Sequence, residues 1–548
     1  MRAVDRRMFL GGAAILTAGI AAGCATTSSS NSKSSSSATA TVRGGLDFDP
    51  KGYTEKTTTI TTDAGDKKVT YRFYGPVTYV AKPVNAEYQS LTISVPTSID
   101  GKSVDATHAP IVFANSVGGY MPASVHDSTG VGGSMAMGMG GMAGMSGAPS
   151  ASAAPGGSGA PGMPSGAAAS GEVQSGGNAM LGTMGEMVNL AQLAVAAGYV
   201  AVEPGCRGRT LVDGSGEYYG VAPAAIVDLK AAVRYLRANS GTIPGNTERI
   251  VSTGTSAGGA LSALLGASGD SDLYQKELDA LGAASADDTV FAAGCWCPIA
   301  DLGHADGAYE WNWGTNPVAT TGARPNQTLS GELRDQFAVY QQTLKLTGLN
   351  DFGELRADNY SEYLLRTYLQ PSATRYLTKL SSADRNKYLR DNPFITWNSG
   401  TASFTWQGYL DHVGPRKKTL PAFDAFDLSA AENNLFGHGT TKARHFTEYS
   451  AHHASSGSTT LDDDIAGLLD QMNPMHFLGD APNDKRAKHW WIRLGTKDTD
   501  TSLNISCNIA AAAAGHGDQV DHLMYWDEGH GANTDAADFI TWVGSISK

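Results

Sequence analysis

A mostly parallel, doubly wound α/β sheet carrying one large insertion is the fold this sequence predicts. Three observations lead there. From Pro110 onward, short apolar runs alternate with helical patterns, the rhythm of strands covered by helices on both faces. Ahead of them, residues 67–95 alternate apolar and polar with period two, as antiparallel strands do. The strand–helix rhythm also stops near residue 302 and resumes near 487, so a separately organised segment sits between core strands.

Each element has its own signal. Val69, Tyr71 and Phe73, then Leu91, Ile93 and Val95, mark the buried faces of the first strands, and Ile111-Val112-Phe113 is a short buried one. A helix from about Thr183 to Ala197 stops at Gly198 and hands over to the strand Tyr199-Val200-Ala201-Val202. The next helix, about Pro223 to Ala238, places Ile226, Leu229, Val233 and Leu236 on one face. Strands at 250–253 and 291–296 follow, with a helix starting near Ala257 between them. After the insertion come a strand at 489–494, a helix around 503–514, a strand near 522–526 and a last helix. The core therefore spans 51–301 and 487–548, within the range of one large domain.

The two interruptions differ in kind. Residues 128–178 consist largely of Gly, Ala, Ser, Pro and Met, a composition that cannot bury enough apolar surface to offset its ordering entropy, so a disordered insert is expected. Its methionines (Met135, Met137, Met139, Met142, Met145) have no His or Cys beside them in the run, which argues against a soft-metal site. Residues 302–486 contain Trp311, Trp313, Trp397 and Trp406 among mixed charges and should fold as a cap or lid over the sheet.

The formal net charge is −13 and the segment before Cys24 carries +2, leaving −15 on the remainder. Such a balance excludes nucleic-acid binding and electrostatic attraction to anionic lipid by the folded part. The basic start Arg6-Arg7-Met8-Phe9-Leu10 and a short apolar run resemble a twin-arginine export signal over residues 1–23. Ala21-Ala22-Gly23-Cys24 resembles a lipobox, so lipidation of Cys24 and a flexible tether over 24–50 are expected, giving an extracytoplasmic, membrane-anchored lipoprotein. Ordinary cleavage near Ala22 is the alternative. Four further cysteines, Cys206, Cys295, Cys297 and Cys507, lack zinc-like spacing and read as structural thiols. Cys295 and Cys297 are expected to point the same way along one strand, which disfavours a bond between them.

Gly254-Thr255-Ser256-Ala257-Gly258 is a G-x-S-x-G motif, with an apolar strand directly before it and a helical run directly after. That setting predicts a nucleophile elbow, where the serine projects above the sheet of an α/β-hydrolase fold. A glycine-rich turn without chemistry is the plain alternative. The acid and base should follow in that order on loops after later strands. Asp498 lies just beyond the strand ending at Leu494, and His530 lies beyond the strand ending near Trp526. His530 would take the Ser256 proton, while Asp498 would hold the ring's tautomer. The backbone N–H of Ala257, with that of Gly118 or Gly119 in the loop after 111–113, would form the oxyanion hole. This chemistry needs no cofactor and no metal.

The elbow Gly254–Gly259, the loop Val117-Gly118-Gly119-Tyr120, the segment Pro204-Gly205-Cys206-Arg207-Gly208-Arg209, Asp498-Thr499-Asp500 and Gly529-His530-Gly531 resemble those of bacterial tannases, the gallate-ester hydrolases of the α/β-hydrolase fold. The resemblance runs from about residue 50 to the end. It implies that Asp498 belongs to the triad, that Asp500 contacts the galloyl hydroxyls, and that Lys418 and Glu432 from the cap complete the binding site. Carboxylates suit this task because phenol hydroxyls are donors seeking acceptors, and an ammonium favours phenolate character. The implied partner is a small aromatic ester. A feruloyl or general aromatic carboxylesterase with the same triad is one rival. A non-catalytic binding lipoprotein is a second, and the complete Ser256, Asp498 and His530 set speaks against it.

Overall fold

The computed structural model describes residues 46–133, 188–454, 460–480 and 482–548. The expected export signal, Cys24, the tether up to residue 45, the insert from 134 and the start of the helix expected from Thr183 lie outside the described residues.

A ten-stranded sheet organises the core. Three long strands open it: β1 (Tyr53–Thr62), β2 (Gly65–Thr78) and β3 (Ser90–Ile99), paired antiparallel in sequence order. The Thr-rich β1 has a largely exposed side and no apolar alternation, which is why period-two reading starts only at β2. The remaining main strands are β4 (Pro110–Ala114), β5 (Val200–Pro204), β6 (Asn246–Thr255), β7 (Ala292–Trp296), β8 (His489–Gly495) and β9 (Gln519–Tyr525). Across the sheet the order is β1-β2-β3-β5-β4-β6-β7-β8-β9, with a two-residue tenth strand at 102–103 paired to the end of β3, and every pairing from β5 to β9 is parallel. This is the layout of the α/β-hydrolase fold.

The central strands are buried on both faces: Ile111, Val112, Phe113, Val200, Val202, Ile250, Val251 and Ile492 are fully enclosed. The covering helices are α1 (Leu190–Ala196), α2 (Ala224–Ala238), α3 (Ala257–Ala267), α4 (Leu302–Trp313), α5 (Leu503–Gly515) and α6 (Ala536–Ile546). Asn189 caps α1, its side chain accepting the Gln192 N–H at 3.0 Å.

Because β5 lies on one side of β4 and β6 on the other, the strand order reverses at β4 while the strands stay parallel, which puts a crevice beyond the carboxyl ends of β4 and β6. The Gly118–Gly119 loop follows β4 and Ser256 follows β6, so both expected site segments border that crevice. The loops after β8 and β9 carry Asp498 and His530 at the same edge.

The described residues of 302–486 are mainly helices and loops, with two small hairpins among them at 347–354 and 396–403. Their interior is aromatic. Trp311 meets Tyr360 and Trp406 with ring centroids 5.7 Å apart in both pairs, and Trp406 meets Tyr409 at 5.4 Å. The segment also grips the loops after β8 and β9. Tyr309 Oη donates to the Thr499 carbonyl at 2.6 Å, Trp313 Nε1 donates to that of Thr501 at 2.8 Å, and Tyr409 Oη donates to that of Thr496. Tyr388 and His412 both bind the Asp527 carboxylate on the loop after β9. The segment thus fixes the loops that carry Asp498 and His530.

Candidate active site

Ser256 sits at φ 62° and ψ −123°, on a turn between β6 and α3. A non-glycine residue holds positive φ only where its surroundings impose it. Here Ser256 N–H donates to the Trp296 carbonyl at 2.9 Å, and the Asn115 amide donates to the carbonyls of Thr253 and Gly258 at 3.0 and 3.1 Å. A side chain at 259 would stand 2.3 Å from the Trp296 carbonyl oxygen, so glycine is required there. Gly258 N–H donates to Val117 O at 2.9 Å, which sets the Gly118–Gly119 loop directly beside the elbow. Among the described residues nothing accepts the N–H groups of Gly118, Gly119 or Ala257.

His530 Nδ1 lies 2.8 Å from Asp498 Oδ2, and Asp498 is fully buried. Burial disfavours the imidazolium, yet the Asp498 carboxylate first and the Cys297 sulfur second outweigh it, so the His530 pKa stands well above the ordinary histidine value. Asp498 Oδ1 accepts the Asp500 N–H at 2.9 Å, so one carboxylate orients the ring and also fixes the next acid along the loop. The Ser256 hydroxyl makes no hydrogen bond to His530 here; such contacts often tighten only when substrate arrives.

Cys297 occupies that neighbourhood instead, its Sγ 3.9 Å from His530 Nε2. This corrects the expectation that Cys295 and Cys297 point the same way along one strand. The strand ends at Trp296, and Cys297 takes φ 38°, turning its thiol out of the sheet and toward the histidine. All four thiols are free and buried. Cys297, Asp498 and His530 place ligand-type atoms within 4.8 Å of one another, with His530 Nδ1 bonded to Asp498 and Nε2 facing the Cys297 thiol. The trio is an acid–base couple with a thiol against it.

The segment 416–432 brings the remaining expected residues near Asp500, with a partnership the sequence does not reveal. Lys418 Nζ lies 3.6 Å from Glu432 and 3.7 Å from the Phe423 ring centre. Asp500 pairs with Lys417 at 2.7 Å rather than with Lys418. Burial pushes the Asp500 carboxyl up, but the charges of His530, Lys417 and Lys418 outweigh it and hold the pKa below the usual range. Arg416, the third cation of the run, is fully buried against Glu310. Chain periodicity has no means of assigning these three neighbours to three different partners.

The geometry can be set beside known proteins. Residues 177–332 match the BD-FAE family model. No curated protein sequence matches the chain. The native tannin acyl hydrolase of Lactobacillus plantarum is 31% identical over 93% of this chain and all of its own, with a TM-score of 0.72. The chain belongs to the bacterial tannase family. The tannase of Fusobacterium nucleatum is 30% identical over 92% of this chain and all of its own, with a TM-score of 0.70. A tannin acyl hydrolase solved in complex with ethyl gallate is 31% identical, covers 92% of this chain and 99% of its own, and has a TM-score of 0.71. Like other members of the tannase family, this chain is a carboxylic ester hydrolase.

Proposed function

We propose that this tannase-family enzyme hydrolyses galloyl esters through an acyl-enzyme formed on Ser256. The observation that carries the reading is the Asp498–His530 couple at the elbow's edge, with Asp500 hydrogen-bonded to the same Asp498 carboxylate. Ser256 Oγ attacks the ester carbonyl as His530 Nε2 takes its proton, and the imidazolium is stabilised by Asp498. The resulting oxyanion accepts hydrogen bonds from the N–H of Ala257 and from Gly118 or Gly119. His530 returns the proton to the departing alcohol, leaving the acyl group on Ser256. Water then attacks this acyl-enzyme with His530 again as base, releasing the acid.

Acyl-group choice falls to Asp500, Glu432 and Lys418. Two carboxylates can each accept a phenol hydroxyl, and the ammonium pairs with the ring's electron-rich oxygens. Related tannin acyl hydrolases solved with ethyl gallate and with 3,4-dihydroxybenzoate support a substrate of this class. Turnover of methyl gallate, methyl protocatechuate, methyl ferulate and nitrophenyl acetate tests the reading. Gallate should be preferred, ferulate poor, and Ser256→Ala inactive by about 10⁴-fold or more while still folded. Equal turnover of ferulate and gallate would overturn the galloyl assignment, and an active Ser256→Ala enzyme would overturn the serine mechanism.

From Ala21-Ala22-Gly23-Cys24 and the basic leader we also infer an exported enzyme tethered by lipid on Cys24. Cys24→Ser should move the protein from the membrane fraction to the soluble one, and an unchanged distribution would refute the anchor.

A further inference from the structure

The segment 204–209 is packed against the loop after β4 with almost no slack. Ala123 and Cys206 exchange backbone hydrogen bonds of 3.0 and 2.9 Å, and a side chain at 208 would stand 2.2 Å from the Pro122 nitrogen. Arg209 emerges from this segment 2% exposed, donates from Nε to the Gly119 carbonyl at 2.7 Å, and sends its own N–H to Tyr120 O at 3.0 Å.

The loop it touches is conformationally expensive. Gly119 and Tyr120 both hold φ 55°, free for glycine but unfavourable for tyrosine. Rotating the peptide between them would return Tyr120 to negative φ, so the loop has a standing reason to flip. The Arg209 bond to Gly119 O opposes that flip, and a second anchor, Gly118 O accepting the Met121 N–H at 2.9 Å, closes the turn and fixes the preceding peptide. A trans peptide points its N–H opposite to its C=O, so these anchors aim the amides of Gly119 and Tyr120 away from them. Tyr120 Oη then donates to Ile299 O at 2.8 Å, and Ile299 N–H donates to Ser256 O at 3.4 Å, which joins the loop to the elbow.

We propose that Arg209 is a positioning residue for the oxyanion hole: by holding the Gly119–Tyr120 peptide in its strained orientation it keeps the shape of the turn that carries the Gly118 and Gly119 amides beside Ser256. The inference rests on the serine-esterase reading above. Burial pushes the Arg209 guanidinium pKa down, and the Glu432 carboxylate pulls it up.

The test compares Arg209→Met and Arg209→Lys with wild type, counting active sites by a fluorophosphonate. Per titrated site, kcat on nitrophenyl acetate should fall about 10²-fold in Arg209→Met with KM little changed, the cost of misplacing a reacting group's partner by roughly an ångström. Affinity for phenylboronic acid, which forms a tetrahedral adduct on the serine, should fall in parallel. A purely structural role would lower the titratable fraction or Tm and leave kcat per site and boronate affinity alone; that result overturns the proposal. If Arg209→Met does not fold, Arg209→Lys decides. An ammonium keeps the charge but not the Nε donor direction, so both quantities should fall about tenfold, and unchanged values overturn the proposal. If Ser256→Ala retains turnover, the esterase reading itself fails, a result separate from any Arg209 phenotype.

Discussion

Replacing Asp500 by Asn separates recognition of the acyl group from the chemistry of the ester bond. The exchange keeps the backbone N–H that donates to Asp498 at 2.9 Å, so the loop should hold its shape. It removes the charge that Lys417 pairs with at 2.7 Å and one strong acceptor for a galloyl hydroxyl. A hydrogen bond to a charged group contributes about 1.5–3 kcal/mol, or roughly 10- to 150-fold in kcat/KM. The Lys417 side chain is 43% exposed, so water can solvate the ammonium once its partner is neutral, and the lower half of that range is expected. Nitrophenyl acetate carries no hydroxyl to present to Asp500 and should lose little. The assay is the ratio of kcat/KM for methyl gallate to that for nitrophenyl acetate, which should drop about 10- to 50-fold. If both substrates lose equally, Asp500 acts through His530 and the recognition argument is wrong; if neither loses, the residue faces no substrate.

Three further outcomes follow from the geometry. The base must be neutral to accept the Ser256 proton, and the His530 pKa is raised, so the acid limb of kcat/KM should lie above the ordinary histidine value of about 6.5. Asp498→Asn should lower kcat about 10⁴-fold and move that limb to lower pH, and a limb that stays in place would exclude Asp498 as the cause. Gly495→Ala would put a methyl 2.1 Å from the Glu528 carbonyl oxygen, where the loops after β8 and β9 are zipped together, so Tm and kcat should both fall, and wild-type values for both would show that the loops can shift apart freely. Asp306 is buried beside Asp424, and burial first, with that neighbouring charge second, raises its pKa to about 7. Folded, it keeps its proton where the unfolded chain has lost it, so its stabilising contribution is complete below about pH 4 and is lost as pH rises through about 7. Asp306→Asn should lower Tm, because two backbone N–H groups share the carboxylate, yet flatten the pH dependence of Tm across that window; an unaltered slope would refute the assignment.

The sequence by itself determined whatever depends on neighbours along the chain. The placement of Ser256 on a turn is legible because strand, sharp turn and helix are contiguous, and the placement of Asp498 and His530 on neighbouring loops because each follows an apolar strand. The parallel strands were readable as unbroken apolar runs, since burial on both faces leaves no polar alternation. The Thr-rich β1 was not, because an exposed strand carries no such pattern. Only the tertiary structure decided the partnerships. Lys417 and Lys418 are adjacent, but Asp500 is 83 residues from the first, and three-dimensional placement alone gives Asp500 to Lys417 and Glu432 to Lys418. Cys297 reaches His530 because one residue at φ 38° leaves the strand, and Arg209 reaches Gly119 across 90 residues through a glycine that lets two backbones touch. Local propensity decides which residues form an elbow, whereas contacts between distant segments depend on how closely backbones pack, and periodicity carries no record of that.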